Sequence, residues 1–271
     1  MSDLRGDIAV TAGPDAGPVR RARRIDRETA GMLVVPPVLV LLVVAGFVWW
    51  RQTADLDATE RRQLRWSTVL DQVVQHVQLT VAASVLVVLI AVPLGIMLTR
   101  GRLSRFSPLV VGIANIGQSA PSIGLLVLTW IWLNDFGFWS GFRVAVLTLT
   151  LYGLLPVLRN TITGLQGVDP ALVEAGRGIG MSGPAVLLRV EMPLALPVIM
   201  AGVRTSLVLV VGTATLATFI NGGGLGSTIT SGINLFRFSV MVAGAVLVAA
   251  LALLVEWLGR VLEVLARPKG L

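Results

Sequence analysis

Hydrophobic residues along this chain gather into long blocks separated by short polar stretches. A helix needs about 20 mostly apolar residues to cross the hydrocarbon core of a bilayer. The first such block is GMLVVPPVLVLLVVAGFVWW at 31–50, and the second is VQLTVAASVLVVLIAVPLGIML at 77–98. Four further blocks run over 107–133, 143–158, 194–220 and 238–259. The pattern predicts an all-α polytopic membrane protein with about six transmembrane helices. It also divides the chain into a polar tail over 1–30, a first span and outer loop over 31–75, a membrane core over 76–262 and a short tail over 263–271. The first tail is rich in Gly, Asp and Arg without an apolar pattern, so disorder is expected there. The block after it is longer than a signal-peptide core and no clear small-x-small site follows, which predicts a retained anchor.

Composition agrees and narrows the chemistry. Of 271 residues 55% are hydrophobic and 14% charged, where soluble domains carry about a quarter charged residues; mean hydropathy is +0.82. With no cysteine and a single histidine, His76, disulfides, iron–sulfur clusters, cysteine zinc sites and histidine-rich metal sites are excluded; no metal site is expected. The one lysine is Lys269, so no Gly-x-x-x-x-Gly-Lys phosphate loop exists to bind and hydrolyse ATP. A net charge of +7 would suit nucleic acid, but its distribution follows the membrane and no nucleic-acid partner is expected. With the N-terminus inside, fifteen basic residues fall on the cytoplasmic side, among them Arg100, Arg102, Arg105, Arg159, Arg177 and Arg189, against six outside. That asymmetry predicts both termini in the cytoplasm. Arg51, Arg61, Arg62 and Arg65 dissent, accompanied by Asp55, Asp57, Glu60 and Asp71. Trp49, Trp50, Trp130, Trp132 and Trp139 fall near the outer boundary and Trp257 near the inner one, as an interfacial belt would place them. Trp130, Trp132 and Trp139 also fit an aromatic cage for a cation.

The cores of the predicted spans hold no Asp, Glu or His, which counts against a proton-driven carrier. A sodium site built from backbone carbonyls would leave no such trace. No acid–base pair or nucleophile constellation is present, so an enzyme is not expected. Pro93, Pro121, Pro156 and Pro197 each remove a backbone donor, and each freed carbonyl must find another partner. Arg204 lies about ten residues into its span; it either snorkels to the cytoplasmic interface or lines a water-filled pathway.

The longest cytoplasmic connection, 169–193, reads as two short helices around a glycine break. Asp169 caps the first, Pro170 fits its first turn, and the helix runs through Glu174 and Arg177. Leu172, Ala175 and Ile179 share a face. Gly178 and Gly180 permit a turn, Ser182 and Pro184 open the second helix, and Pro193 is expected to end or kink it. Glu174-Ala175-Gly176, three residues, Gly180, nine residues, Val190, one residue, then Met192-Pro193 resembles the EAA loop of binding-protein-dependent ABC importer permeases. The family pattern is Glu-Ala-Ala, Gly, Ile and Leu-Pro at those spacings, so Gly176, Val190 and Met192 depart from it conservatively.

The resemblance extends over about 76–262. GQSAPSIGLL at 117–126, RVEMPLALPVIMAGVRTS at 189–206 and ATLATFINGGGLGSTI at 214–229 are similar to permeases of quaternary-ammonium osmoprotectant importers, whose solutes include glycine betaine, choline and carnitine. It implies that 169–193 is a coupling loop docking separate ABC ATPase subunits, which hold ATP and Mg; that a second permease subunit completes the pathway; and that an extracytoplasmic binding protein delivers the solute. With no space for a fused receptor, that protein is expected as a separate chain, and no cofactor is expected on this one. Glu174, Ala175, Gly176, Arg177, Gly180 and Ser182 are then the ATPase-facing residues. Gln118, Ser119, Pro121 and Ser122 in a broken third span, with Arg204, Thr213 and Thr215, are the pathway candidates. The turn Asn221-Gly222-Gly223-Gly224 is placed outside, near the binding-protein surface, or is a simple flexible loop. Readings left open are a permease for another small solute, an ion-gradient-driven carrier or channel, and a membrane scaffold.

Overall fold

A computed structural model describes residues 27–266; the expectations for the rest of the two tails lie outside them. Each apolar block forms a helix, but polar neighbours move the boundaries. Helix α1 spans Arg27–Thr53 and so begins inside the stretch expected as tail. A short helix α2, Ala58–Gln63, opens with a capping box in which the Asp57 carboxylate accepts from the Glu60 amide and the Glu60 carboxylate from the Asp57 amide. Helix α3, Trp66–Leu98, starts well before the predicted position 77, so the loop after the first span is shorter than expected. Gln72, Gln75 and His76, which precede the predicted span, sit within this helix and bond to a distant turn and the residues after it.

The third block divides into α4, Ser107–Ser119, and α5, Ser122–Asn134, which meet at 97°. Pro121 drives the break, because the residue before a proline is pushed out of helical geometry, and Ala120 is extended at φ −65°, ψ 143°. Helix α6, Gly141–Gln166, is opened by the Ser140 side chain, which accepts from the Arg143 amide. Then come α7, Pro170–Gly178, and α8, Gly183–Val186. A π-turn at Leu187–Glu191 leads directly into α9, Met192–Ala214. Pro193 therefore neither ends nor kinks the second short helix, contrary to expectation. It sits in the first turn of α9, where its missing amide is least costly, and the wider winding before it lets the Met192 amide donate to the Leu187 carbonyl five residues back. A 3-10 segment, Thr215–Ile220, then leads to α10, Gly226–Asn234, and α11, Phe238–Ala266.

Among the described residues five helices are long and apolar enough to cross a bilayer, and the bent pair counted as one span makes six. Among the described residues there is no strand. Helix α6 is central, packed between α3 and α9: 67% of its apolar window is buried, against 6% for α1. Leu79, Ala83, Val144, Val210 and Ala214 form one layer of this core, and Val87, Ala91, Val157 and Leu158 another. Small residues let the backbones approach, as they do where lipid supplies no hydrophobic drive between helices. A β-carbon on Gly202 of α9 would stand 2.7 Å from the Pro156 carbonyl oxygen on α6. Helix α11 packs on α9 and α10, and α1 lies outside on α11. Because α11 continues to Ala266 and buries Glu263, the boundary expected at 263 falls inside a packed helix.

Candidate functional site

The 169–193 segment folds as two short helices about Gly180. The Asp169 side chain accepts from the Ala171 amide at the start of α7. At the other end the Met181 amide donates to the Gly176 carbonyl and the Gly180 amide to that of Arg177, a Schellman closure that needs a left-handed residue at Gly180. Gly180 supplies it at φ +87°. Ser182 stands before α8 but makes no side-chain cap. Gly176 is buried toward Val186, Met181 and Val190. Leu172, Glu174, Ala175, Arg177 and Ile179 are exposed, and Ile179 keeps 77% of its surface. One side of α7 is thus fixed to the body while an apolar face flanked by charge stays open.

Beneath this element lies an ion pair the sequence reading missed. Glu191, at the end of the π-turn, is buried and receives both terminal nitrogens of Arg100; Nη1 is 3.1 Å from Oε1 and Nη2 bonds Oε2. Burial, and then the charge of Arg177, hold the Arg100 guanidinium below its ordinary value. The available signal was a carboxylate two residues before the proline that opens a span, with arginines closing the second span.

The pathway candidates gather in part. Gln118 donates through Nε2 to the Tyr152 carbonyl at 3.3 Å. That carbonyl lies four residues before Pro156, which has no amide to give it. In return the Tyr152 hydroxyl donates to the carbonyl of Ala120 in the break. The broken span and the proline of α6 are therefore latched at two points. Ser119 donates to the Asn115 carbonyl at 2.8 Å, and Ser119 and Pro121 are exposed with Ser122 half-buried. Thr213 and Thr215 spend their hydroxyls on their own helix, on the Leu209 and Gly212 carbonyls. Arg204 is not a lone cation: its Nη1 is 3.2 Å from Glu263 Oε2. Trp257 repeats the proline repair elsewhere, donating at 2.7 Å to the Leu33 carbonyl, which Pro37 leaves without a partner.

The 221–224 turn is not a free loop. Gly222 and Gly224 are buried, Gly223 is half-buried, and only Asn221 is exposed. Gly223 and Gly224 take φ of +82° and +93°. The Gly224 amide donates to Gln75 Oε1 at 3.0 Å, the Leu225 amide to His76 Nδ1 at 3.2 Å, and Thr228 to Gln72. His76 Nε2 is 3.0 Å from the Val211 carbonyl, so a ring carrying its hydrogen on Nε2 satisfies both contacts. Helix α3 begins upstream of the predicted span and so takes in His76, outside the apolar block at 77–98, and both ring nitrogens are committed to backbone groups. The aromatic cage does not form. Trp132 is exposed, Trp130 and Trp139 pack on the core, and among the described residues no ring contact joins the three. Two of the arginines that opposed the charge asymmetry are engaged: Arg51 donates to the Leu64 carbonyl and lies 4.5 Å from the Trp66 ring, and Arg61 donates to the Leu56 carbonyl at 2.7 Å.

A helical bundle with a latched broken span and a short-helix element between two of its spans defines a polytopic α-helical membrane protein. Residues 91–267 match the family described as binding-protein-dependent transport system inner membrane component, and the chain belongs to that family. It is a transport subunit of a multi-pass inner-membrane class. It is 43% identical over 197 residues to the glycine betaine/carnitine/choline transport system permease protein OpuCB of Bacillus subtilis, covering 73% of this chain and 88% of that one. It is 41% identical over 209 residues to the choline transport system permease protein OpuBB of the same organism, covering 77% and 93%. The fold is similar to a chain of the MetNI methionine ABC transporter in an inward-facing conformation, with a TM-score of 0.66 at 23% identity, covering 79% of this chain and all of that chain.

Proposed function

We propose that this chain is the membrane-spanning permease of an ATP-driven importer for small quaternary ammonium osmoprotectants. In this reading both termini are cytoplasmic, and α7 and α8 dock in a groove of a separate ABC ATPase that carries ATP and Mg. Glu174, Ala175, Arg177, Gly180 and Ser182 lie at or near that groove, with Gly176 behind them. A second permease subunit completes the pathway, to which Gln118, Ser119, Pro121, Ser122, Arg204, Thr213 and Thr215 contribute. An extracytoplasmic binding protein brings the solute, and of the glycine-rich turn Asn221 is the residue left to meet it.

The observation that carries the proposal is the form of α7: capped at both ends, held to the body through Gly176, and open along Leu172, Ala175 and Ile179. A rigid apolar face beside charge suits insertion into a partner's cleft. Movement of a docked element biases the bundle between two states, which is what coupling requires. Relatives named for glycine betaine, carnitine and choline support the solute class. Co-purification tests the reading. The chain should be recovered with a P-loop ATPase, and the soluble receptor of the same system should bind glycine betaine, choline or carnitine. A receptor selective for an unrelated solute would overturn the solute class, and recovery without any ATPase would overturn the coupling.

A further inference from the structure

The Arg100–Glu191 pair ties the short-helix element to a second span. The helical run from Gly183 to Ile220 is continuous, so α8 already has one rigid connection, to α9. Helix α7 joins that run through the turn at Gly180 and Met181 and through Gly176 against Val186 and Val190. Glu191 stands where the π-turn passes into α9, and only 4% of its surface is exposed. Both its oxygens face Arg100, which follows α3 after the single residue Thr99. A bidentate guanidinium–carboxylate contact fixes orientation as well as distance. It is a poor device for stability alone, since well-packed apolar groups serve as well or better in a buried position. What it adds is a set geometry between two elements far apart in sequence.

We infer that Glu191 and Arg100 are positioning residues that make α3 move with the coupling element, so that displacement at the ATPase-facing helices reaches two spans and not α9 alone. Helices α3 and α9 both pack on central α6, and moving them together shifts both walls beside it. The inference rests on the coupling role proposed above.

The test is the number of solute molecules transported per ATP hydrolysed, in vesicles holding the complete complex of permease, ATPase and receptor. Wild type is compared with Glu191→Gln, Arg100→Gln and the double variant. The variants should retain the ATPase and hydrolyse ATP, while transport per ATP falls by about tenfold, within the range seen for residues that carry coupling between sites. A purely structural role would lower the amount of complex and both outputs together, and an unchanged ratio overturns the inference. Each single variant leaves one charge unpaired and is the more prone to misfold. The double variant leaves none, and carries the test by itself if the singles do not insert: a lowered ratio supports the link and a wild-type ratio removes it. A wild-type chain that neither holds an ATPase nor transports would overturn the coupling role itself, and the inference with it.

Discussion

Gly180 and Gly176 sit four residues apart on the coupling element and should respond oppositely to substitution. At Gly180 a side chain would meet no atom within 4 Å, but the backbone is held at φ +87°, which costs an ordinary residue about 1–2 kcal/mol. Gly180→Leu is therefore expected to reshape the turn through its backbone conformation, not through a clash. The spans should insert normally, while ATPase co-purification and substrate-stimulated hydrolysis fall. Wild-type ATPase binding and transport in that variant would remove the loop as the coupling element. At Gly176 an added β-carbon would lie 3.5 Å from Val186, 3.6 Å from Met181 and 3.7 Å from Val190, ordinary contact distances. Gly176→Ala, which restores the family's second alanine, should be accepted and should stabilise α7 by about 0.5–1 kcal/mol; loss of ATPase binding would show that the departure at this position is functional.

Among the elements, the broken span teaches most about what the sequence could and could not say. Pro121, between Ala120 and Ser122, marked the break, and the prolines within the spans implied orphaned carbonyls. Which groups would answer them depended on partners 34 residues away, as Gln118 is from Tyr152, and no local pattern carries that. The same holds for the start of α3, predicted at 77, because the partners of Gln72, Gln75 and His76 in and after the glycine-rich turn come 149 to 156 residues later. Asp169, Gly180 and the shared face of Leu172, Ala175 and Ile179 were legible because capping and turns are local. Glu191 was not, since its partner Arg100 belongs to another element. The latch makes a quantitative prediction. Gln118→Leu leaves the Tyr152 carbonyl without its donor and should cost about 1–3 kcal/mol, seen as a lowered Tm in lipid nanodiscs. In a Pro156→Ala background the helix supplies that amide itself, so the cost should shrink. An equal cost in both backgrounds would mean that Gln118 is not serving the proline.

At the scale of the whole molecule, six apolar blocks became, among the described residues, five helices long and apolar enough to cross and one bent pair, so the side on which each loop emerges depends on whether that pair crosses. Fifteen basic residues against six favour a crossing, with both termini inside. Single cysteines at Ser2, Asp57, Asn134 and Lys269 test this with an impermeant thiol reagent. Asp57→Cys and Asn134→Cys should react from outside, and labelling of Ser2→Cys or Lys269→Cys from that side would contradict the topology. The driving force bears on the account as a whole. His76 is fully committed to backbone groups, and Arg204 is paired with Glu263, which suits a chain moved by a partner. The most direct measurement is uptake of labelled glycine betaine into vesicles that hold the chain with its ATPase and receptor, with ATP supplied on the ATPase side and proton and sodium gradients collapsed by ionophores. The account predicts uptake that requires ATP and the receptor and is unchanged by the ionophores; uptake by this chain alone, driven by a proton or sodium gradient, would contradict it.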